Sequence, residues 1–143
     1  MEKGFKFSIS IFLAIILAGG LMFVYINRPY TKIIYMNWSI KLPRPYKEIY
    51  STDSGSSFHG DGWRYHVFEY IRIDYFSNWK NGKNTAIESA VNKNLDILNV
   101  PKENRPDFTS KYSYYTKKEQ DSSTIYLIFF SDTKKLFVIE DIL

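Results

Sequence analysis

Charged residues are missing from one early stretch of the chain, and this gap predicts its first element. No side chain between residues 7 and 26 is charged. At about 1.5 Å per helical residue, a run of this length reaches the roughly 30 Å thickness of a bilayer's hydrocarbon core. Basic residues flank the run, Lys3 and Lys6 before it and Arg28 and Lys32 after it, as at many membrane borders. We therefore predict a transmembrane helix over residues 7–26.

Alternation of apolar and polar residues predicts strands in the rest of the chain. Residues 33–42 alternate as a strand with one buried side, and residues 63–76 form the clearest strand pattern. A loop rich in Ser and Gly precedes the second strand, so we expect it to form a hairpin with a short strand at residues 47–51. Further strand patterns, joined by short polar loops that favour an antiparallel meander, occupy residues 111–115, 124–130 and 136–142.

A helical pattern lies between the two groups of strands. Thr85 and Glu88 have the spacing of a capping box, and Pro101 follows as a stop signal. Apolar residues recur at intervals of three and four and predict one buried face, formed by Ile87, Ala90, Val91, Leu95 and Leu98. The fold class predicted is α+β: an N-terminal transmembrane helix, then a mainly antiparallel sheet of about five strands with one packed helix.

These elements predict four segments. Residues 1–6 form a short basic tail, 7–26 the transmembrane helix, 27–32 a juxtamembrane linker and 33–143 an α+β domain. We expect a signal anchor and a single-pass cell-membrane protein with its C-terminal domain outside the cytoplasm, in contact with the lipid bilayer through residues 7–26. The alternative is a signal peptide that is cleaved, followed by secretion.

Composition and charge exclude several classes of function. The 143 residues carry a formal net charge of +4, and the basic residues are scattered, so we expect no nucleic-acid partner. The chain has no cysteine, which excludes disulfides, thiol catalysis and cysteine-ligated zinc. No phosphate-binding or dinucleotide-binding glycine motif occurs, and we expect no cofactor.

The most distinctive local sequence is FHGDGW at residues 58–63. Its side chains and one from the next strand make a candidate surface, formed by Phe58, His59, Asp61, Trp63 and His66. His59 and Asp61 are residue types that bind metals, and His66 follows on the next strand. The sequence supplies no convincing third ligand at the spacing of a metal site. Two glycines around an aspartate also suit a tight turn. We therefore assign no catalytic, cofactor-binding or metal-binding residue.

The order of elements, together with the FHGDG sequence at residues 58–62, resembles small membrane-anchored or exported proteins of Gram-positive bacteria. Those proteins have no assigned activity, so the resemblance implies a location and a layout and carries no site residue to this chain.

We expect a non-enzymatic protein whose external domain binds a protein, a peptide or an envelope component. The exposed sheet edge and the aromatic-rich face beside residues 58–63 are the two surfaces considered. One alternative is a metal-assisted hydrolase that uses His59, Asp61 and His66. Another is a membrane immunity-type protein that shields its host from a secreted peptide.

Overall fold

A computed structural model of the protein describes residues 12–22, 29–55, 57, 60–73 and 75–143. Contacts along the chain divide it into two units, Met1–Leu42 and Pro43–Leu143. The first unit contains α1, which is helical over residues 12–22, and α2 at Tyr30–Trp38. The second unit contains β1 (Tyr46–Asp53), β2 (Gly62–Tyr70), β3 (Lys80–Asn81), α3 (Thr85–Ile97), a 3-10 turn (Lys102–Asn104), β4 (Ser113–Lys118), β5 (Thr124–Phe130) and β6 (Lys135–Ile142).

The six strands form one antiparallel sheet in the order β1-β2-β6-β5-β4-β3. The predicted hairpin between β1 and β2 is confirmed, and so is the antiparallel meander of β4, β5 and β6. The sheet has one more strand than predicted, because the two-residue β3 pairs with the start of β4. β6 lies between β2 and β5, so it joins the hairpin to the rest of the sheet.

One face of the sheet packs against α3, as predicted, and we call it the helix-covered face. Ile87, Val91 and Leu95 of α3 are buried in the same cluster as the strand residues. Those strand residues come from four strands, and they are Tyr65, Val67, Tyr114, Ile128, Phe130, Phe137 and Ile139. Because side chains alternate along a strand, the intervening positions point to the opposite face. There Phe68, Leu127, Phe129, Leu136 and Val138 are also buried, which explains why these strands are apolar on both sides.

The start of α3 differs from the predicted capping box. Asn84 is the N-cap, and its side-chain oxygen accepts a hydrogen bond from the backbone N–H of Ile87 at 3.2 Å. Thr85 is the first helical residue, and the Glu88 carboxylate accepts a bond from the Tyr112 hydroxyl instead of serving a box. Asparagine is as effective an N-cap as serine or threonine, so the helix begins one residue earlier than the box requires.

The transmembrane helix predicted for residues 7–26 is wrong. Within the residues that the structure describes, no helix is long and apolar enough to cross a membrane. Residues 7–11 and 23–26 of the predicted span lie outside the described residues. The single-pass cell-membrane location and the external position of the C-terminal domain were predicted from that helix and are corrected with it. The bilayer contact expected for residues 7–26 depended on the same helix, and it is not proposed again.

One predicted strand is a helix in the structure, and another is shorter than predicted. Residues 33–42 were predicted as a strand, but Tyr30–Trp38 is a helix. Ile34 and Trp38 are both buried and are four residues apart, a spacing that fits a helix face as well as alternation does. The strand predicted over 63–76 ends at Tyr70, after which Ile71 is 80% exposed.

Candidate functional site

The five residues predicted as a candidate surface are only partly described by the structure. Phe58 and His59 lie outside the described residues. Asp61 is exposed in the turn before β2, while Trp63 and His66 lie on β2. Trp63 and His66 are three residues apart on a strand, so they point to opposite faces of the sheet. The structure therefore does not bring these two side chains together.

The polar side chains around Asp61 mainly stabilise the turn between β1 and β2. Asp61 and Arg64 line a depression of about 290 Å³. Arg64 donates from Nη2 to the Gly60 carbonyl at 3.1 Å, and Asp53 accepts from the Gly55 backbone N–H at 2.7 Å. No three His, Cys, Asp or Glu side chains among the described residues come together in a way that could hold a metal ion.

His66, which is buried, pairs with the partly exposed Glu48 on the face opposite α3. Its Nδ1 lies 2.5 Å from Oε1 of Glu48, and its ring stacks against Phe68 with 6.1 Å between centroids. Burial lowers the pKa of His66 below its usual value, and this effect outweighs the nearby carboxylates of Glu48 and Glu140, which raise it. The neutral imidazole therefore donates from Nδ1 to Glu48, an arrangement that satisfies a buried polar group.

A larger groove lies elsewhere, where the chain leaves β5, enters β4 and passes from β3 to α3. Its volume is about 500 Å³. The lining groups include two ammonium groups, one exposed phenol and three serine hydroxyls, from Lys83, Lys111, Tyr75, Ser110, Ser113 and Ser131. Among the described residues, no Asp, Glu or His lines the groove. The groove is therefore basic, and its hydroxyls can donate hydrogen bonds.

The two lysines come together because of the register between β3 and β4. Lys80 pairs with Tyr114 and Asn81 with Ser113. The next pair continues the same register, since the Gly82 N–H donates to the Tyr112 carbonyl at 3.4 Å. One further step places Lys83 opposite Lys111, just beyond the end of the ladder. Both side chains are exposed, and neither is in an ion pair within the described part of the chain.

The wall between the lysines is held by a hydrogen-bond network. The Tyr112 hydroxyl accepts from the Asn84 backbone N–H at 2.8 Å and donates to the Glu88 carboxylate at 2.7 Å. Asn84 also donates from its side chain to the Tyr114 hydroxyl at 3.0 Å. Burial, followed by the bond to Glu88, raises the pKa of Tyr112 to about 12, so the phenol stays protonated at neutral pH. The N-cap of α3 is thus tied to β4.

A turn around Asp107 leads into the part of the groove that is lined by Thr109 and Ser110. Oδ1 of Asp107 accepts from the Thr109 hydroxyl at 2.7 Å and from the Thr109 backbone N–H at 3.0 Å. These two bonds lower the pKa of Asp107 below its usual value. The Ser110 N–H donates to the Asp107 carbonyl at 3.1 Å, so the turn that carries Ser110 and leads to Lys111 is fixed locally.

Sequence reasoning missed this groove because its residues are far apart in the chain. Lys83 and Lys111 lie in two polar connections that carry no motif. A two-residue strand such as β3 is too short for alternation to reveal, and β3 alone sets the register that brings the lysines together.

Comparisons with known proteins found no relative of this chain. No protein-family model, no curated protein and no solved structure matches the chain, and the resemblance to small Gram-positive envelope proteins stays a prediction.

Proposed function

We propose that the Pro43–Leu143 unit is a non-catalytic binding module that holds a segment of another polypeptide in the groove beside β3 and β4. The observation that carries this proposal is the groove itself, about 500 Å³ in volume, with walls fixed by hydrogen bonds. Ligand sites in proteins commonly occupy about 300–1,000 Å³ and are largely formed before the ligand arrives.

The lining chemistry favours binding over catalysis. General acid–base catalysis needs a group that exchanges a proton near neutral pH, and His, Asp and Glu supply it in most enzymes. The groove instead offers ammonium groups and hydroxyls, which hold a ligand by charge and hydrogen bonds. His66 and Asp61, the nearest candidates from the sequence, are not among its lining residues.

An exposed tyrosine and an edge strand beside the groove favour a polypeptide as the ligand. Tyr75 is 77% exposed and offers a rigid aromatic surface with a hydrogen-bonding tip. Exposed tyrosines of this kind supply much of the contact area in protein recognition. Asn81 belongs to the edge strand β3, so a backbone that enters the groove also meets the open edge of the sheet.

A peptide selection on the full chain tests the proposal. We would immobilise the protein, select from a displayed library of random heptapeptides, and retest each clone on Ser131→Trp, which fills the groove. The control is Ser51→Trp, a change at an exposed serine on β1. We expect clones whose binding falls at least tenfold on Ser131→Trp and is unchanged on Ser51→Trp. If the selection yields no such clone while both variants retain the wild-type circular dichroism spectrum, the proposal is wrong.

The two other functions considered from the sequence have no described feature in their favour. The metal-assisted hydrolase depends on His59, which lies outside the described residues, together with Asp61 and His66. Protection against a secreted peptide singles out no residue. Both stay hypotheses.

A further inference from the structure

We infer that the segment held in the groove is acidic, and that two of its carboxylates lie between Lys83 and Lys111. This inference rests on the proposed function and adds the chemical class of the ligand.

The first argument is the cost of placing two like charges together. The β3–β4 register brings Lys83 opposite Lys111, and like charges at opposing positions of a strand pair are destabilising. Folded proteins usually offset such a pair with a nearby carboxylate. Here the described lining residues include none, and neither lysine is in an ion pair with another described residue. A bound carboxylate would remove the repulsion, so acidic ligands gain energy that neutral ones do not.

The second argument is hydrogen-bond complementarity. A carboxylate accepts several hydrogen bonds and donates none when ionised. Besides the ammonium groups, the groove presents the hydroxyls of Ser110, Ser113 and Ser131 as donors. A basic ligand would meet two ammonium groups and no carboxylate among the described lining residues, so the two lysines disfavour it.

The third argument is spacing. Directly opposed residues on antiparallel strands have Cβ atoms about 4.5–5.5 Å apart. In an extended peptide, side chains two residues apart lie on the same side, separated by roughly 6.6 Å. Lysine stems are long and flexible enough to bridge this small difference. Two acidic residues separated by one other residue therefore fit the pair of lysines.

The test uses the heptapeptides selected on the full chain. We would synthesise the groove-dependent peptides, replace each Asp by Asn and each Glu by Gln, and measure both forms by titration calorimetry. The double variant Lys83→Gln/Lys111→Gln is compared with Lys102→Gln, which removes an exposed lysine from the 3-10 turn, outside the groove. We expect the amide forms to bind at least tenfold more weakly to the wild type. The acidic forms should lose at least tenfold on the double variant and nothing on Lys102→Gln.

The two proposals fail in different ways. Groove-dependent peptides that lack acidic residues, or amide forms that bind as tightly as the acidic ones, would overturn the acidic ligand and leave the binding module standing. A selection without groove-dependent peptides would overturn both. Binding should also weaken between 50 and 250 mM salt, because exposed charges are screened. Binding that is insensitive to salt contradicts the inference.

Discussion

His66 and Glu48 lie diagonally across the β1–β2 pair, and the imidazole Nδ1 is 2.5 Å from the carboxylate Oε1. A bulge in β1 shifts the register between Glu48 and Tyr50, so that Glu48 lies opposite Phe68 while His66 lies opposite Ser51. The carboxylate thus approaches the ring from the side. A histidine that could have been a ligand or a base is instead committed to a contact inside the sheet.

This pair predicts how stability depends on pH. Because burial lowers the pKa of His66 in the folded state, the unfolded chain binds a proton more readily than the folded chain below about pH 6.5. The free energy of unfolding should therefore decrease as the pH falls from about 6.5 towards the lowered pKa. Urea unfolding of the wild type and of His66→Gln between pH 8 and pH 5 measures it. The wild type should lose more stability than the variant over this range.

A wild type that gains stability on acidification, relative to His66→Gln, would contradict this account. It would mean that the charged pair with Glu48 outweighs burial and raises the pKa of the imidazole.

The cap of α3 predicts a difference between two neighbouring substitutions. Asn84→Ala removes the bond to the Ile87 N–H and the bond to the Tyr114 hydroxyl, so we expect a loss of about 1–3 kcal/mol. Thr85→Ala changes the first helical residue without removing a cap and should cost less than about 0.5 kcal/mol. Chemical denaturation of both variants distinguishes them. A larger loss of stability for Thr85→Ala than for Asn84→Ala would instead support the capping box predicted from the sequence.

The packing of α3 predicts a second pair of outcomes. Leu95 is fully buried against the helix-covered face, so Leu95→Ala should lower the free energy of unfolding by about 2–5 kcal/mol. Ile97 is 40% exposed on the same helix, and Ile97→Ala should cost less than half as much. Equal losses would contradict this account, because burial of the side chain would then not decide the loss of stability.

A buried phenol gives a further prediction. The Tyr65 hydroxyl donates to the Asn104 carbonyl at 2.5 Å and links β2 to the 3-10 turn. Tyr65→Phe leaves that carbonyl without its donor and should cost about 1–3 kcal/mol. Tyr75→Phe is the matched control, because Tyr75 is largely exposed, and its unfolding midpoint should stay near the wild type. A Tyr65→Phe variant as stable as the control would show that water replaces the lost bond.

Much of the second unit could be predicted from the sequence because its patterns are unambiguous. The intervals of three and four among Ile87, Ala90, Val91, Leu95 and Leu98 fit a helix, and the alternation that begins at Trp63 fits a strand. The first unit was harder. In residues 33–42, Ile34 and Trp38 satisfy both the helical and the strand period.

The strand predicted past Tyr70 failed for a different reason. Phe76 stacks on Trp79 with 4.2 Å between ring centroids and meets Phe129 edge-on at 4.9 Å. Aromatic residues in this segment pack onto the sheet from a loop, and their composition alone is the same as that of a strand.

The candidate site could not be predicted because it depends on pairing between distant segments. The FHGDGW sequence predicted a candidate surface because it combines rare residue types. Lys83 and Lys111, in contrast, are common residues in polar connections. Only the register between β3 and β4 makes them neighbours.

The position of β6 has a consequence for how the protein is made. β6 follows every other strand in the chain, yet it lies between β2 and β5 in the sheet. During synthesis the β1–β2 and β4–β5 hairpins emerge first, each with one edge that has no neighbour until Lys135–Ile142 leaves the ribosome. We expect the nascent chain to remain sensitive to proteases and to chaperone binding until that strand is released, and to become resistant in one late step.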